Sequence, residues 1–279
     1  MSNTIYSVAG CTRCKITKRF MVDQDIAFDD FDINAEGKEA FAKFYRANRS
    51  QIFRDKDGVE FPVFTDGSVI RQGASVIMGY LMAGDGLDGF INRSVLHGEW
   101  IDGFNISGGN PDRDGDLIRV LSYLKKSRLK IQLFSDGRNA GILEKIVAQG
   151  LADRMVMEIK GPSTLYQQLT GKKIKADELE RSIRLAAKFD EYQFYTIIAP
   201  VVRGENKISY LSPDEIGMIA KMIESATQSK KEPYQLRTFD PSGTVDEALK
   251  SVEPLPDSVM FKYRSAARRH IVITEIEKT

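Results

Sequence analysis

Cysteine is almost absent from this chain. Its 279 residues hold two, Cys11 and Cys14, and only two histidines, His97 and His270. A structural zinc site usually takes four Cys or His ligands. The pair alone cannot supply them, and the histidines lie far away in sequence. An excess of charge of one sign is also missing: 40 Lys and Arg stand against 39 Asp and Glu. Nothing therefore marks a nucleic-acid or membrane surface. No apolar run approaches the roughly 20 residues that span a bilayer. The start, Met-Ser-Asn-Thr, shows neither the charged region nor the cleavage site of a signal peptide. The expected compartment is cytoplasmic. Internal repeats and low-complexity tracts are absent too. What is present is a 42% hydrophobic composition, enough for a real core, in a length that suits two domains or one large barrel.

The two cysteines stand in Cys11-Thr12-Arg13-Cys14, just after the apolar run Ile5-Tyr6-Ser7-Val8. Lys15, Lys18 and Arg19 follow. A pair at this spacing on a strand-to-helix turn predicts a dithiol redox centre. Free N–H groups and the macrodipole at a helix start favour a thiolate. Cys11 is then the nucleophile and Cys14 the thiol that resolves the mixed disulfide. Arg13 is placed to assist electrostatically. The alternatives are half of a metal site and an inert buried pair.

The first 82 residues predict the order βαβαββα. Strands are expected at 4–8, 26–33 and 61–64, helices at 12–22, 36–49 and 74–82. Asp66-Gly67 marks a hairpin turn with a return strand at 68–71. This segment resembles a glutaredoxin, on Cys11-Thr12-Arg13-Cys14, Phe61-Pro62-Val63, the hairpin and Gln72-Gly73. The resemblance implies a cis Pro62 facing the dithiol, with Pro62, Val63 and Arg13 contacting the substrate. Thr12-Arg13 replaces the family's frequent Pro-Tyr, and the 48–60 loop is longer and more charged than usual.

Residues 84–94 read as a Gly- and Asp-rich linker. Strands then alternate with amphipathic helices from Trp100 to about residue 239, which implies a parallel sheet with right-handed crossovers. A polar connector at 242–256, a helix or turn at 259–269 and a last strand at 271–274 complete the expected elements.

Residues 95–240 resemble the radical S-adenosylmethionine activating enzymes of anaerobic glycyl-radical systems. The resemblance rests on residues 102–111 (DGFNISGGNP), Ser135-Asp136-Gly137, residues 157–162 (MEIKGP) and the stretch from Tyr166 to Gly171. It implies a partial barrel, with Gly108, Gly109, Asn110, Ser135, Asp136, Glu158 and Lys160 in the cofactor-binding positions. Asn110 stands where the family has glutamate, and the three-cysteine loop that holds the family's [4Fe–4S] cluster is missing. Three thiolates are needed to hold such a cluster, so no metal and no radical chemistry are expected.

The expected fold is thus α/β: a thioredoxin/glutaredoxin fold over 1–83, a linker over 84–94 and a cluster-less partial (β/α) barrel of radical SAM type over 95–279. The expected activity is thiol–disulfide exchange on a protein client chosen by the second domain, with an anaerobic reductase implied by the resemblance. No cofactor is required; glutathione and S-adenosylmethionine are the two candidates. The alternatives are a ligand- or partner-binding module with a redox-switch dithiol, and an activating protein whose cluster forms at an interface, as in a homodimer. The missing first barrel unit also leaves the strand at 100–107 on an open edge. Phe90–His97, the first domain, the C-terminal strand or a second copy must cover it.

Overall fold

The computed structural model describes residues 2–56, 58–93, 96–97, 99–203, 207–244 and 246–277. Two compact units divide the chain, Met1–Gln132 and Leu133–Thr279.

The first unit opens with β1 (Asn3–Ser7), α1 (Thr12–Asp23), β2 (Phe28–Asp32) and α2 (Lys38–Ala47). A short hairpin, β3 (Arg54–Asp55) with β4 (Gly58–Val59), lies within the charged loop. Then come β5 (Val63–Thr65), β6 (Ile70–Gln72) and α3 (Ala74–Ala83). The sheet order is β2-β1-β5-β6, with β1 parallel to β2 and antiparallel to β5. This is the expected thioredoxin/glutaredoxin order with β3–β4 added. Ile5 and Tyr6 of β1 are buried, as are Phe20 and Met21 of α1 and Ile77 and Met78 of α3. An almost wholly apolar helix such as α3 must be covered on more than one side.

The Asp66-Gly67 turn forms as expected. The Asp66 carboxylate accepts from the Ser68 and Val69 amides, the Ser68 hydroxyl and, at 2.6 Å, the Tyr80 hydroxyl. The Tyr80 bond, followed by those from Ser68, holds its carboxyl well below the ordinary value of 3.8. A depressed carboxylate pKa adds stability that is present above the unfolded value and lost as the pH falls. The chain should therefore lose stability below about pH 4, and Tyr80→Phe should shrink that loss. Unfolding measured against pH, with the Asp66 carboxyl followed by NMR, checks this. An unchanged Asp66 titration in the variant would contradict it.

Residues 84–93 fold as part of the first unit. Gly84–Leu87 forms a 3₁₀ turn, and Leu87, Phe90 and Ile91 are buried. The Asn92 amide donates to the Gly103 carbonyl and the Asn105 amide to the Phe90 carbonyl, each at 2.8 Å. β7 (Leu96–His97) then pairs antiparallel with β8 (Trp100–Asn105). The edge of β8 is thus covered by the chain segment just before it. α4 (Asp114–Lys126) follows β8. Tyr123 of α4 packs edge-on against Phe20, and its hydroxyl donates to Asp23 at 2.7 Å.

The unit boundary falls within β9 (Lys130–Ser135). Beyond it come α5 (Ala140–Gln149), β10 (Arg154–Glu158), α6 (Tyr166–Thr170), α7 (Ala176–Ala186) and β11 (Glu191–Ile198). The hairpin β12 (Pro200–Arg203) and β13 (Lys207–Tyr210), α8 (Pro213–Thr227) and β14 (Tyr234–Thr238) follow. The last elements are α9 (Glu247–Lys250), α10 (Asp257–Arg268) and β15 (Thr274–Ile276). Within the second unit the sheet runs in the order β15-β14-β11-β10. β10, β11, β14 and β15 are parallel neighbours. Along β11, Phe194, Thr196 and Ile198 are buried, while Gln193, Tyr195 and Ile197 are half-buried. That alternation marks one closely packed face.

Ser212 starts α8 with a capping box to Glu215, and Pro213 takes the first turn, where its missing N–H costs nothing. One detail differs from expectation. The last strand lies at 274–276 because the Ile271 amide still bonds to Ala267 and completes the turn after α10. Among the described residues no helix is long and apolar enough to cross a membrane.

Candidate active site

Cys11 is the N-cap of α1. Its backbone is extended, and its Sγ accepts a hydrogen bond from the Cys14 amide at 3.1 Å. Gly10 precedes it with φ +81°, a backbone region that favours glycine, and this turns the end of β1 into the helix. Cys11 and Cys14 are joined as a disulfide with their Cα atoms 5.3 Å apart. Cys14 is 1% exposed, while Cys11 is half-buried. Of the pair, Cys11 is thus the more exposed residue and the one at the helix start.

The Phe61–Pro62 peptide is cis. The Pro62 carbonyl accepts from the Gly73 amide at 3.0 Å, and Val63 is buried. Arg13 donates to Glu60 Oε1 at 2.8 Å, which ties the helix of the dithiol to the residue before Phe61. The Glu60 side chain is 10% exposed. Burial pushes its carboxyl above the ordinary value, against the pull of Arg13 and Arg93. Gln72 clamps the same loop: it donates to the carbonyls of Phe53 and Glu60 and accepts from the Phe53 amide. Sequence reasoning missed Glu60 and Arg93. The one available signal for Glu60 was an acid placed directly before the Phe-Pro pair.

The positions assigned to S-adenosylmethionine are engaged within the chain. In the first unit a Cβ on Gly108 would collide with the Gly89 carbonyl, and one on Gly109 would collide with ring carbons of Phe90. The Asn110 side chain caps the following turn by accepting from the Asp112 amide at 3.1 Å. In the second unit Ser135 Oγ accepts from the Gly137 amide at 3.0 Å, and Asp136 holds Arg138 through both carboxylate oxygens. Lys160 pairs with Glu158 at 2.6 Å, and the Tyr195 hydroxyl donates to the same carboxylate at 3.2 Å. Tyr166, fully buried, donates to the Asp136 carbonyl at 2.9 Å and accepts from the Lys160 amide. Tyr166 thus joins two of the expected strand ends. Burial, and then Glu158, push the Tyr195 hydroxyl up. Arg237 stacks on the Tyr195 ring and pairs with Glu277. His270 faces Glu224 at 2.7 Å. The His97 side chain lies outside the described residues.

These residues do not fit a three-thiolate iron–sulfur cluster, because the chain's two cysteines are bonded to each other. Within the first unit Gly108 and Gly109 are packed by Gly89 and Phe90, and within the second unit the Asp136 and Glu158 carboxylates pair with Arg138 and Lys160.

No family model and no curated protein matches the chain. Solved structures do. The glutaredoxin-like protein NrdH-redoxin from Escherichia coli is 28% identical over 26% of this chain and 84% of its own, with a TM-score of 0.21. A domain of pyruvate-formate lyase-activating enzyme from Bacteroides vulgatus is 14% identical over 62% of this chain and 98% of its own, at TM-score 0.44. Coproporphyrinogen III oxidase from Escherichia coli, a radical SAM enzyme, is 12% identical over 61% of this chain and 41% of its own, at TM-score 0.41. The chain is similar to a glutaredoxin-like protein at its start and to radical SAM domains over most of its length. Cys11 and Cys14 form a pair able to make a disulfide.

Proposed function

We propose that this chain is a thiol–disulfide oxidoreductase that reduces a protein client. The carrying observation is the Cys11–Cys14 pair at the start of α1, with Cys11 half-buried and Cys14 buried. In the reduced chain the Cys11 thiolate attacks a client disulfide. The Cys11–client S–S bond forms, and one client sulfur leaves as a thiolate. Cys14, deprotonated, then attacks Cys11 Sγ, which restores the disulfide seen here and releases the second client thiolate. Two electrons pass from the dithiol to the client, and a thiol or dithiol reductant must return them. The part that follows the glutaredoxin-like fold would select the client, for which an anaerobic reductase is the candidate.

The test is stoichiometric. Pre-reduced chain, freed of small thiols, is mixed with excess insulin. One insulin disulfide should be reduced per chain, and none by chain alkylated beforehand. Absence of reduction by the unalkylated chain would overturn the reading.

A further inference from the structure

Arg13 stands between the two cysteines, and its guanidinium is committed to Glu60. Glu60 in turn faces Arg93 Nε at 3.8 Å. Arg93 lies past α3, in the segment that covers the β8 edge, and its guanidinium carbon sits over the Phe53 ring, 3.4 Å from its centre. The charged groups acting on Glu60 are Arg13 from α1, Arg93 from this segment, Asp55 of β3 and Asp102 of β8. All of them belong to the first unit. A nearly buried carboxylate therefore sits between a cation next to the dithiol and a cation contributed by the chain after the glutaredoxin-like fold.

We propose that Glu60 and Arg93 are positioning residues that set the charge felt by the dithiol, Glu60 by holding and neutralising Arg13, and Arg93 by partly neutralising Glu60. This rests on the thiol-exchange reading above. Arg13, Glu60 and Arg93 alternate in sign, plus–minus–plus. Removing the central negative charge frees Arg13 and makes the surroundings more positive. Removing Arg93 leaves Glu60 facing Arg13 with one positive charge fewer. A nearby positive charge favours a thiolate. The two changes must therefore act in opposite directions, which a purely structural role does not require.

The experiment titrates the Cys11 thiolate of the reduced full chain by its ultraviolet absorbance, in wild type, Glu60→Gln and Arg93→Ala. Glu60→Gln keeps the shape of the side chain and a hydrogen bond to Arg13. Arg93 is nearly half exposed, so neither variant opens a core. Glu60→Gln should move the midpoint to lower pH by about half a unit, and Arg93→Ala should move it to higher pH by a similar or smaller step. The rate of insulin reduction, taken as a pH profile, should shift in the same sense. Midpoints unchanged in both variants, or displaced in the same direction, overturn the proposal. If wild type itself reduces no insulin, the exchange reading fails, while the titration still tests the charge relay.

Discussion

Cys11→Ser should abolish catalytic disulfide reduction. The loss should be at least roughly 10³-fold, equivalent to about 4 kcal/mol of transition-state stabilisation. A serine hydroxyl at that position stays protonated near neutral pH and cannot replace a thiolate as nucleophile. Cys14→Ser should behave differently. Its Cys11 remains half-buried at the start of α1 and can still make the first attack. The mixed disulfide should then persist, because the resolving sulfur is missing. Single-turnover reduction of insulin, with mass analysis of the products, separates the two variants. A stable adduct in Cys11→Ser, or normal turnover in Cys14→Ser, would reverse the assigned roles.

Gly109→Ala should destabilise the first unit by about 3 kcal/mol, at the upper end for overpacking. The added Cβ would collide with ring carbons of Phe90, which is 0% exposed. At about 2–8 °C per kcal/mol, the melting temperature should fall by several degrees or more. Gly141→Ala is the control. A Cβ there meets nothing within 4 Å, and the position is in the first turn of α5. Alanine should be neutral there or stabilising by up to about 1 kcal/mol. Equal melting temperatures in the two variants would mean that the Gly108–Gly109 turn is not packed against Phe90 and opens towards a ligand instead.

Much of this protein was legible in its sequence, for local physical reasons. The apolar run into Cys11, the 3.6-residue stripes of the helices and the Asp66-Gly67 turn are set by neighbours in the chain, and each element formed near its expected place. The placement of Cys11 at a helix start follows from the same local pattern. The Phe61–Pro62 bond, expected to be cis from the resemblance, is cis. Tertiary structure alone decided the rest, because those contacts join residues far apart in sequence. Glu60 reads as one more loop charge until folding brings Arg13, 47 residues away, to within 2.8 Å of it. Arg93 belongs to a stretch that looks like a linker, and only the packing of Phe90 and Ile91 beside β8 brings it to Phe53 and Glu60. Gly108 and Gly109 show in sequence only that side chains are missing. That their space is filled by Gly89 and Phe90 depends on how the edge of β8 is covered, and no local pattern encodes that.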